Sequence, residues 1–221
     1  MEKFKNELSV RRSYIMNDIQ TRNLQDEEQG RIEGHAAVFN QTADIGGFFD
    51  EIIERGAFDG CDFSDVALFV NHEQDELPLA RSKSSNGAST MQLRVDEVGL
   101  FISADIDLIN NANARSLYSA IKRGDIDGMS FAFRIKEQKW ENLDSEKPTR
   151  RITKIAKVYE VSAVNNPAYE STEISARDKS ALEEARKALD SARGGGSDAE
   201  NEELELERAK LKLKLKLREE Y

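Results

Sequence analysis

Apolar and polar residues alternate in short runs along the first three quarters of the chain, and Gly, Asn, Asp or Pro bound most of these runs. Alternation with a period of two is typical of a β-strand with one face buried. The pattern therefore predicts a chain dominated by strands. The predicted strands are 30–39, 66–72, 89–97, 99–107, 129–140 and 150–164, with an additional strand within 9–24.

One stretch between these strands has the spacing of a helix instead. In 111–124 the apolar residues recur at intervals of three and four, and Gly124 provides a stop signal. The residues that share this face are Ala114, Leu117, Tyr118 and Ile121. Alanine and leucine recur similarly in 178–192, which predicts a second short helix. Many strands with one or two helices predict a mainly β fold, a small closed barrel with flanking helices.

Composition divides the chain into three parts. Residues 1–8 form a charged lead-in, and 9–176 form a body that holds nearly all the aromatic residues and all three prolines. The tail, 177–221, contains the second helix, three consecutive glycines, an acidic block and a Leu/Lys alternation. Such a tail is either a solvated segment or a docking segment whose separated charges pair with a partner.

Composition also excludes several classes of function. A chain of 221 residues with a net charge of −10 can bury one sizeable core and has no general affinity for nucleic acid or anionic lipid. Its one cysteine, Cys61, and two histidines exclude a disulfide framework and a cysteine-rich zinc site. The sequence has no apolar run long enough for a membrane span or signal peptide. We therefore expect a soluble protein of a reducing cytoplasm that carries no cofactor or metal.

The first candidate for chemistry is His72, which ends the apolar run "VALFVNH". Alternation places it on one strand face with Val66, Leu68 and Val70. Histidine is the side chain best suited to take up a proton near neutral pH. A histidine at a strand end can equally be a structural residue that donates to a backbone carbonyl.

The second candidate is Ser130 in "GDIDGMSFAFRI". Here Met129, Phe131 and Phe133 share one strand face, and Ser130 lies on the other with Ala132. A serine hydroxyl becomes a nucleophile only beside a base, and the histidines are the bases of the right kind. The local pattern alone leaves Ser130 as either a packing residue or a nucleophile.

The third candidate is Glu160, an acid within the apolar run "KVYEVSAV". Alternation groups it with Val158 and Ser162 on one face. Carboxylates are rarely buried without a partner. The partner is either a histidine, whose tautomer the carboxylate fixes, or a cation such as Lys157 or Arg134.

Several fragments follow one another over roughly residues 28–176 in an order typical of one family. They are "IEGHAAVFN", "ERGAF", "VNHEQDELPLAR", "VGLFISADID", "IKRGDIDGMSFAF" and "YEVSAVNNPAYESTEI". Through them the sequence resembles the prohead maturation proteases of tailed phages, the HK97 type. The resemblance implies a serine peptidase with a fold similar to the herpesvirus maturational protease (assemblin), a β-barrel flanked by helices. His35 stands where this family more often has an aromatic residue, and we interpret it as a packing residue.

The resemblance also implies roles and partners. His72 matches the catalytic histidine, Ser130 the nucleophile and Glu160 the acidic third member, while Arg81 and backbone amides are candidates for stabilising the oxyanion. The expected substrates and partners are the scaffolding part of the major capsid protein and the protease itself, inside the prohead that assembles in the host bacterial cytoplasm. We expect neither nucleic acid nor a membrane as a partner. Self-association into a homo-oligomer inside the prohead stays open. The tail then fits a docking segment open to autolysis.

Two other interpretations stay open at this stage. The chain could be a non-catalytic capsid-assembly or scaffold protein that docks through its charged tail. Alternatively, the peptidase could use Ser162 as its nucleophile, or Asp75 or Glu73 as its acid.

Overall fold

The computed structural model describes residues 9–15, 18–23, 29–83, 89–165 and 178–194. The predicted lead-in 1–8, the segment 166–177 and the tail beyond Gly194 lie outside the described residues. The elements are β1 (Ser9–Ile15), β2 (Gln20–Asn23), β3 (Gln29–Val38), β4 (Thr42–Ile45), β5 (Phe49–Ile53), β6 (Ala67–Val70), β7 (Ala80–Arg81), β8 (Met91–Val95), β9 (Gly99–Asp107), α1 (Ala112–Arg123), β10 (Gly128–Glu141), β11 (Thr149–Val164) and α2 (Asp178–Gly194).

Helix α1 confirms the helix predicted at 111–124, and its ends follow from local chemistry. The Asn111 side chain accepts a hydrogen bond from the Ala114 amide at 3.1 Å, which caps the N-terminus. Gly124, with φ of 79°, lies in the left-handed region and closes the C-terminus through bonds to the Ala120 and Ile121 carbonyls. The helix buries the predicted apolar face against the sheets.

Helix α2 confirms the second predicted helix and packs on the body. Leu189 is buried within the hydrophobic core. Arg193 donates to the backbone carbonyls of Leu143 and Ser145, at 3.1 and 2.8 Å, in the turn between β10 and β11. These contacts fasten α2 to one end of the longest hairpin.

The strands of the described residues form two sheets. The smaller sheet has the order β2-β3-β9-β8, and the larger has the path β1-β10-β11-β5-β4 with β6 and β7 branching from β11. Strand β11 is long enough to pair with two parallel neighbours, β5 along Thr149–Ile152 and β6 along Glu160–Ala163. This branching brings the end of β6 beside the end of β11 that carries Glu160.

The two sheets share one hydrophobic core, which confirms the predicted mainly β fold. Core residues from the smaller sheet include Ile32, Leu100 and Ile102, and those from the larger include Phe131, Phe133 and Val161. Within the described residues neither sheet closes on itself, so the predicted closed barrel is not confirmed. Each sheet buries its apolar face against the other, and this covers the core without closure.

Candidate active site

The pairing of β10 with β11 sets the floor of the site. Ser130 lies opposite Ser162, and Ala132 lies opposite Glu160. Directly opposite residues project from the same face of a sheet, so Ser130, Ser162 and Glu160 share one face. The other face of β10 carries Phe131 and Phe133, whose rings stack in the core with centroids 4.3 Å apart. The predicted division of β10 into two faces is confirmed.

A β-bulge in β11 turns Glu160 away from the core. Phe133 pairs with Val158 and Ala132 pairs with Glu160, so Tyr159 is an extra residue between them. Val158 therefore belongs to the core face and Glu160 to the opposite face. The predicted grouping of Val158 with Glu160 is wrong, because a bulge shifts the alternation by one residue.

A tight turn carries His72 to the same face. Strand β6 ends at Val70, and the next two residues, Asn71 and His72, have φ of 49° and 59°. The predicted placement of His72 on the face of Leu68 and Val70 is wrong, because these left-handed residues reverse the direction of the chain. The turn is held by backbone donation from Asn71 to the Ala163 carbonyl at 3.0 Å. Left-handed conformations cost about 1–2 kcal/mol for each non-glycine residue, so this turn requires support from its surroundings.

The structure brings the three predicted site residues into one hydrogen-bonded row. The Ser130 hydroxyl donates to Nε2 of His72 over 2.6 Å. Nδ1–H of the same ring donates to Oε1 of Glu160. Ser130 exposes 0 % and Glu160 1 % of the residue surface, while the His72 side chain keeps 16 %. With a carboxylate on Nδ1, Nε2 carries the lone pair that can accept the hydroxyl proton.

Gln74 is a member of the site that sequence reasoning missed. Its side-chain amide donates to Oε2 of Glu160 at 2.7 Å. Its backbone N–H donates to the His72 carbonyl at 2.9 Å. A glutamine in a charged loop has no distinctive pattern, and its only signal in the sequence is its position two residues after His72.

Two further predicted candidates lie elsewhere. Arg81 forms a bidentate pair with Asp65, at 2.6 and 2.9 Å, and this pair raises the pKa of the guanidinium. Lys157 donates to Asp62 at 2.6 Å, and this hydrogen bond helps to hold the pKa of Asp62 well below its usual range. Glu160 instead accepts hydrogen bonds from His72 and Gln74, so the interpretation that pairs it with Lys157 is wrong.

Ser162 is fully buried beside Ser130, and among the described residues its hydroxyl has no hydrogen-bond partner. The His72 ring is committed to Ser130 on one nitrogen and to Glu160 on the other. The geometry thus gives a base to Ser130 and none to Ser162, which disfavours Ser162 as a nucleophile.

His35 lies in β3 of the smaller sheet and is buried, as a packing residue should be. It also bridges two acids, with Nδ1 at 2.5 Å from Asp18 and Nε2 at 3.1 Å from Asp96. Its ring meets Phe101 edge to face, with centroids 5.2 Å apart. His35 therefore ties the start of β2 to the turn between β8 and β9.

The arrangement of Ser130, His72 and Glu160 is suited to acyl transfer, in which a hydroxyl attacks a carbonyl while a histidine moves the proton. Across the described part of the chain, no cluster of three or more His, Cys, Asp and Glu side chains is arranged to hold a metal ion. Neither α1 nor α2 has the length and apolar composition of a membrane-spanning helix.

Comparisons with known proteins point to one family. The family model described as caudovirus prohead serine protease matches residues 17–187, a range that contains all four site residues. The prohead protease of Enterobacteria phage HK97 is 33 % identical over 155 residues, which cover 68 % of this chain and 61 % of that protein. The match thus spans less than two thirds of the relative's length. No solved structure gave a significant match.

Proposed function

Because the chain belongs to the caudovirus prohead serine protease family, we propose that it is a serine endopeptidase of phage capsid maturation. Ser130 is the nucleophile, His72 the general base and Glu160 the acid that orients His72. The observation that carries the proposal is the continuous hydrogen-bonded row from Glu160 through His72 to Ser130. Residues distant in the sequence meet there in the geometry that nucleophilic catalysis requires.

Peptide cleavage on this row proceeds by acyl transfer. The Ser130 oxygen attacks the peptide carbonyl carbon as Nε2 of His72 takes the hydroxyl proton, and the carbonyl π electrons move to its oxygen. The intermediate collapses, the C–N bond breaks, and Nε2–H returns the proton to the leaving amine. A water molecule then repeats the sequence on the acyl-enzyme. Throughout, the Glu160 carboxylate stabilises the imidazolium that forms at each proton transfer.

Ser130 exposes none of its surface and Glu160 almost none, while the His72 side chain keeps 16 %. A substrate peptide therefore has to displace some of the groups that cover the Ser130 hydroxyl. The burial of Glu160 also strengthens its electrostatic interaction with the imidazolium that forms during proton transfer.

The proposed substrates are the scaffolding part of the major capsid protein and the protease itself, cleaved inside the assembling prohead. The family description and the name of the phage relative support this assignment, since both place a protease in the prohead. The capsid protein is the proposed partner, and the tail, 177–221, is the proposed docking and autolysis segment.

Co-expression with the cognate major capsid protein tests this function. Intact-mass measurement of both chains should show a shortened capsid protein and a shortened protease. Ser130→Ala should abolish both cleavages while leaving the capsid protein able to assemble, and Ser162→Ala, a change of the same size on the neighbouring strand, should leave them in place. Unchanged processing in the Ser130→Ala variant would sink the assignment of Ser130. A wild-type chain that shortens neither protein would favour the scaffold interpretation.

A further inference from the structure

Gln74 contacts both the histidine and the acid of the site. Its backbone N–H donates to the His72 carbonyl, and its side-chain amide donates to the Glu160 carboxylate. We propose that Gln74 is a positioning residue, which keeps the Glu160 carboxylate ionised and aimed at Nδ1 of His72. This inference rests on the proposed function of the site. It concerns the electrostatic balance of the Glu160–His72 pair, beyond the three roles proposed for Ser130, His72 and Glu160.

The first support is the environment of Glu160. The residue exposes only 1 % of its surface, and a buried carboxylate is costly unless donors satisfy its oxygens. His72 supplies the donor for Oε1, and Gln74 supplies the donor for Oε2 at 2.7 Å. The carboxylate plane is thereby held between two donors, which fixes its orientation toward the imidazole.

The second support is the neutrality of the amide. A lysine or arginine on Oε2 would satisfy the carboxylate but would also neutralise it, and a neutral pair attracts an imidazolium weakly. Gln74 donates a hydrogen bond without adding a charge. It therefore stabilises the carboxylate and leaves its charge available to His72.

The third support is the strained turn. Asn71 and His72 both have positive φ, and such conformations persist only where neighbouring contacts determine them. The backbone N–H of Gln74 donates to the His72 carbonyl at 2.9 Å, and the side-chain amide of Gln74 donates to Glu160 of β11. Gln74 thus fixes the position of the base relative to the acid.

The proposal predicts opposite pH shifts for two substitutions. In Gln74→Met the side chain keeps its bulk and loses the donor, so the Glu160–His72 pair takes up a proton more readily. The acidic limb of the pH–rate profile should move to higher pH. In Gln74→Lys the donor is cationic and disfavours protonation of the pair, so the same limb should move to lower pH.

The measurement is the rate at which a fluorophosphonate probe labels Ser130 in the full-length chain, followed by intact mass at low probe concentration across a range of pH. Gln74→Met should label about tenfold more slowly at neutral pH, as expected for a lost hydrogen bond to a charged group. Glu76→Gln is the matched control on the same exposed loop. It should label at the wild-type rate and should not move the limb upward.

Superimposed profiles for wild type and Gln74→Met, or shifts of the same sign in both Gln74 variants, overturn the proposal. Circular dichroism establishes that each variant is folded. If Gln74→Met does not fold, Gln74→Lys decides alone, and a limb that fails to move downward refutes the role. Wild-type protein that labels at a residue other than Ser130 instead refutes the proposed function, so the two failures are distinguishable.

Discussion

Replacement of Glu160 by glutamine removes one charge from the site and almost no volume. The carboxylate contacts Nδ1 of His72 through one oxygen and receives the Gln74 amide on the other. If its charge centre lies about 4 Å from that of the imidazolium, an effective dielectric constant of 20 gives an attraction of about 4 kcal/mol. Loss of this attraction corresponds to roughly a thousandfold decrease in rate, at about 1.4 kcal/mol for each factor of ten.

In the Glu160→Gln variant, the orientation of the Gln74 side-chain amide decides which tautomer His72 adopts. The new amide can keep its oxygen on Nδ1–H only if its NH2 group faces Gln74. Gln74 can then turn its own amide and accept through its oxygen, because a glutamine amide has both a donor and an acceptor. The productive tautomer therefore survives, and the loss should stay below the ~10⁴-fold effect expected when the wrong tautomer forms.

Fluorophosphonate labelling of Ser130 measures this loss directly. The acidic limb of the Glu160→Gln profile should move to lower pH, because an imidazole without a carboxylate partner is harder to protonate. Glu76→Gln, on the exposed loop after His72, controls for a change of net charge. Labelling of Glu160→Gln at the wild-type rate with an unmoved limb would refute Glu160 as the acid, and would return Asp75 and Glu73 to consideration.

Three further predictions concern single groups around the fold. Ser162→Ala removes a hydroxyl that has no partner in the described part of the chain, so the free energy of unfolding in urea should stay the same or rise by up to about 1 kcal/mol. A clear decrease would mean that the hydroxyl is bonded. Burial, reinforced by the Asp62 charge, raises the pKa of the Cys61 thiol to about 11, so iodoacetamide at mildly alkaline pH should alkylate the folded chain far more slowly than the unfolded chain; equal rates by mass spectrometry would contradict this. Burial alone would raise the pKa of Asp96, but donation from the Gly99 and Val98 amides and from His35 lowers it overall. A carboxylate with a lowered pKa stabilises the folded state at pH values above its ordinary titration range, and this stabilisation is lost as the pH falls. Asp96→Ala should therefore cost about 1–2 kcal/mol at neutral pH, with a smaller difference in acid, and a difference independent of pH would be evidence against this linkage.

Periodicity predicted the elements whose burial is regular. Strand β9 runs from Gly99 to Asp107 as predicted, because its inward residues alternate without interruption between two neighbouring strands. Helix α1 was predictable for the same reason, with a cap at each end. Strands β4, β5 and β7 were not predicted, since segments of 4, 5 and 2 residues are too short to establish a period.

The positions of the site residues were harder to predict than their identities. Residue chemistry and family order pointed to Ser130, His72 and Glu160, but alternation placed His72 on the wrong face and grouped Glu160 with Val158 of the core face as well as with Ser162. Without the bulge at Tyr159, Glu160 would share the core face with Val158. A shift of one residue moves a side chain to the opposite face of a sheet, and no local pattern in "KVYEVSAV" announces such a shift.

The turn at Asn71 and His72 has the same effect on the other side of the site. Regular continuation of β6 would place His72 on the same face as Leu68, which lies in the core, and away from the face that carries Ser130 and Glu160. The bulge and the turn are both unfavourable locally, and each depends on contacts that the other provides. Glu160 and Gln74 hold the turn, and His72 donates a hydrogen bond to the carboxylate that the bulge turns to this face. Mutual dependence of this kind arises from tertiary structure. Short-range sequence patterns therefore identify the chemical groups but cannot give the geometry that joins them.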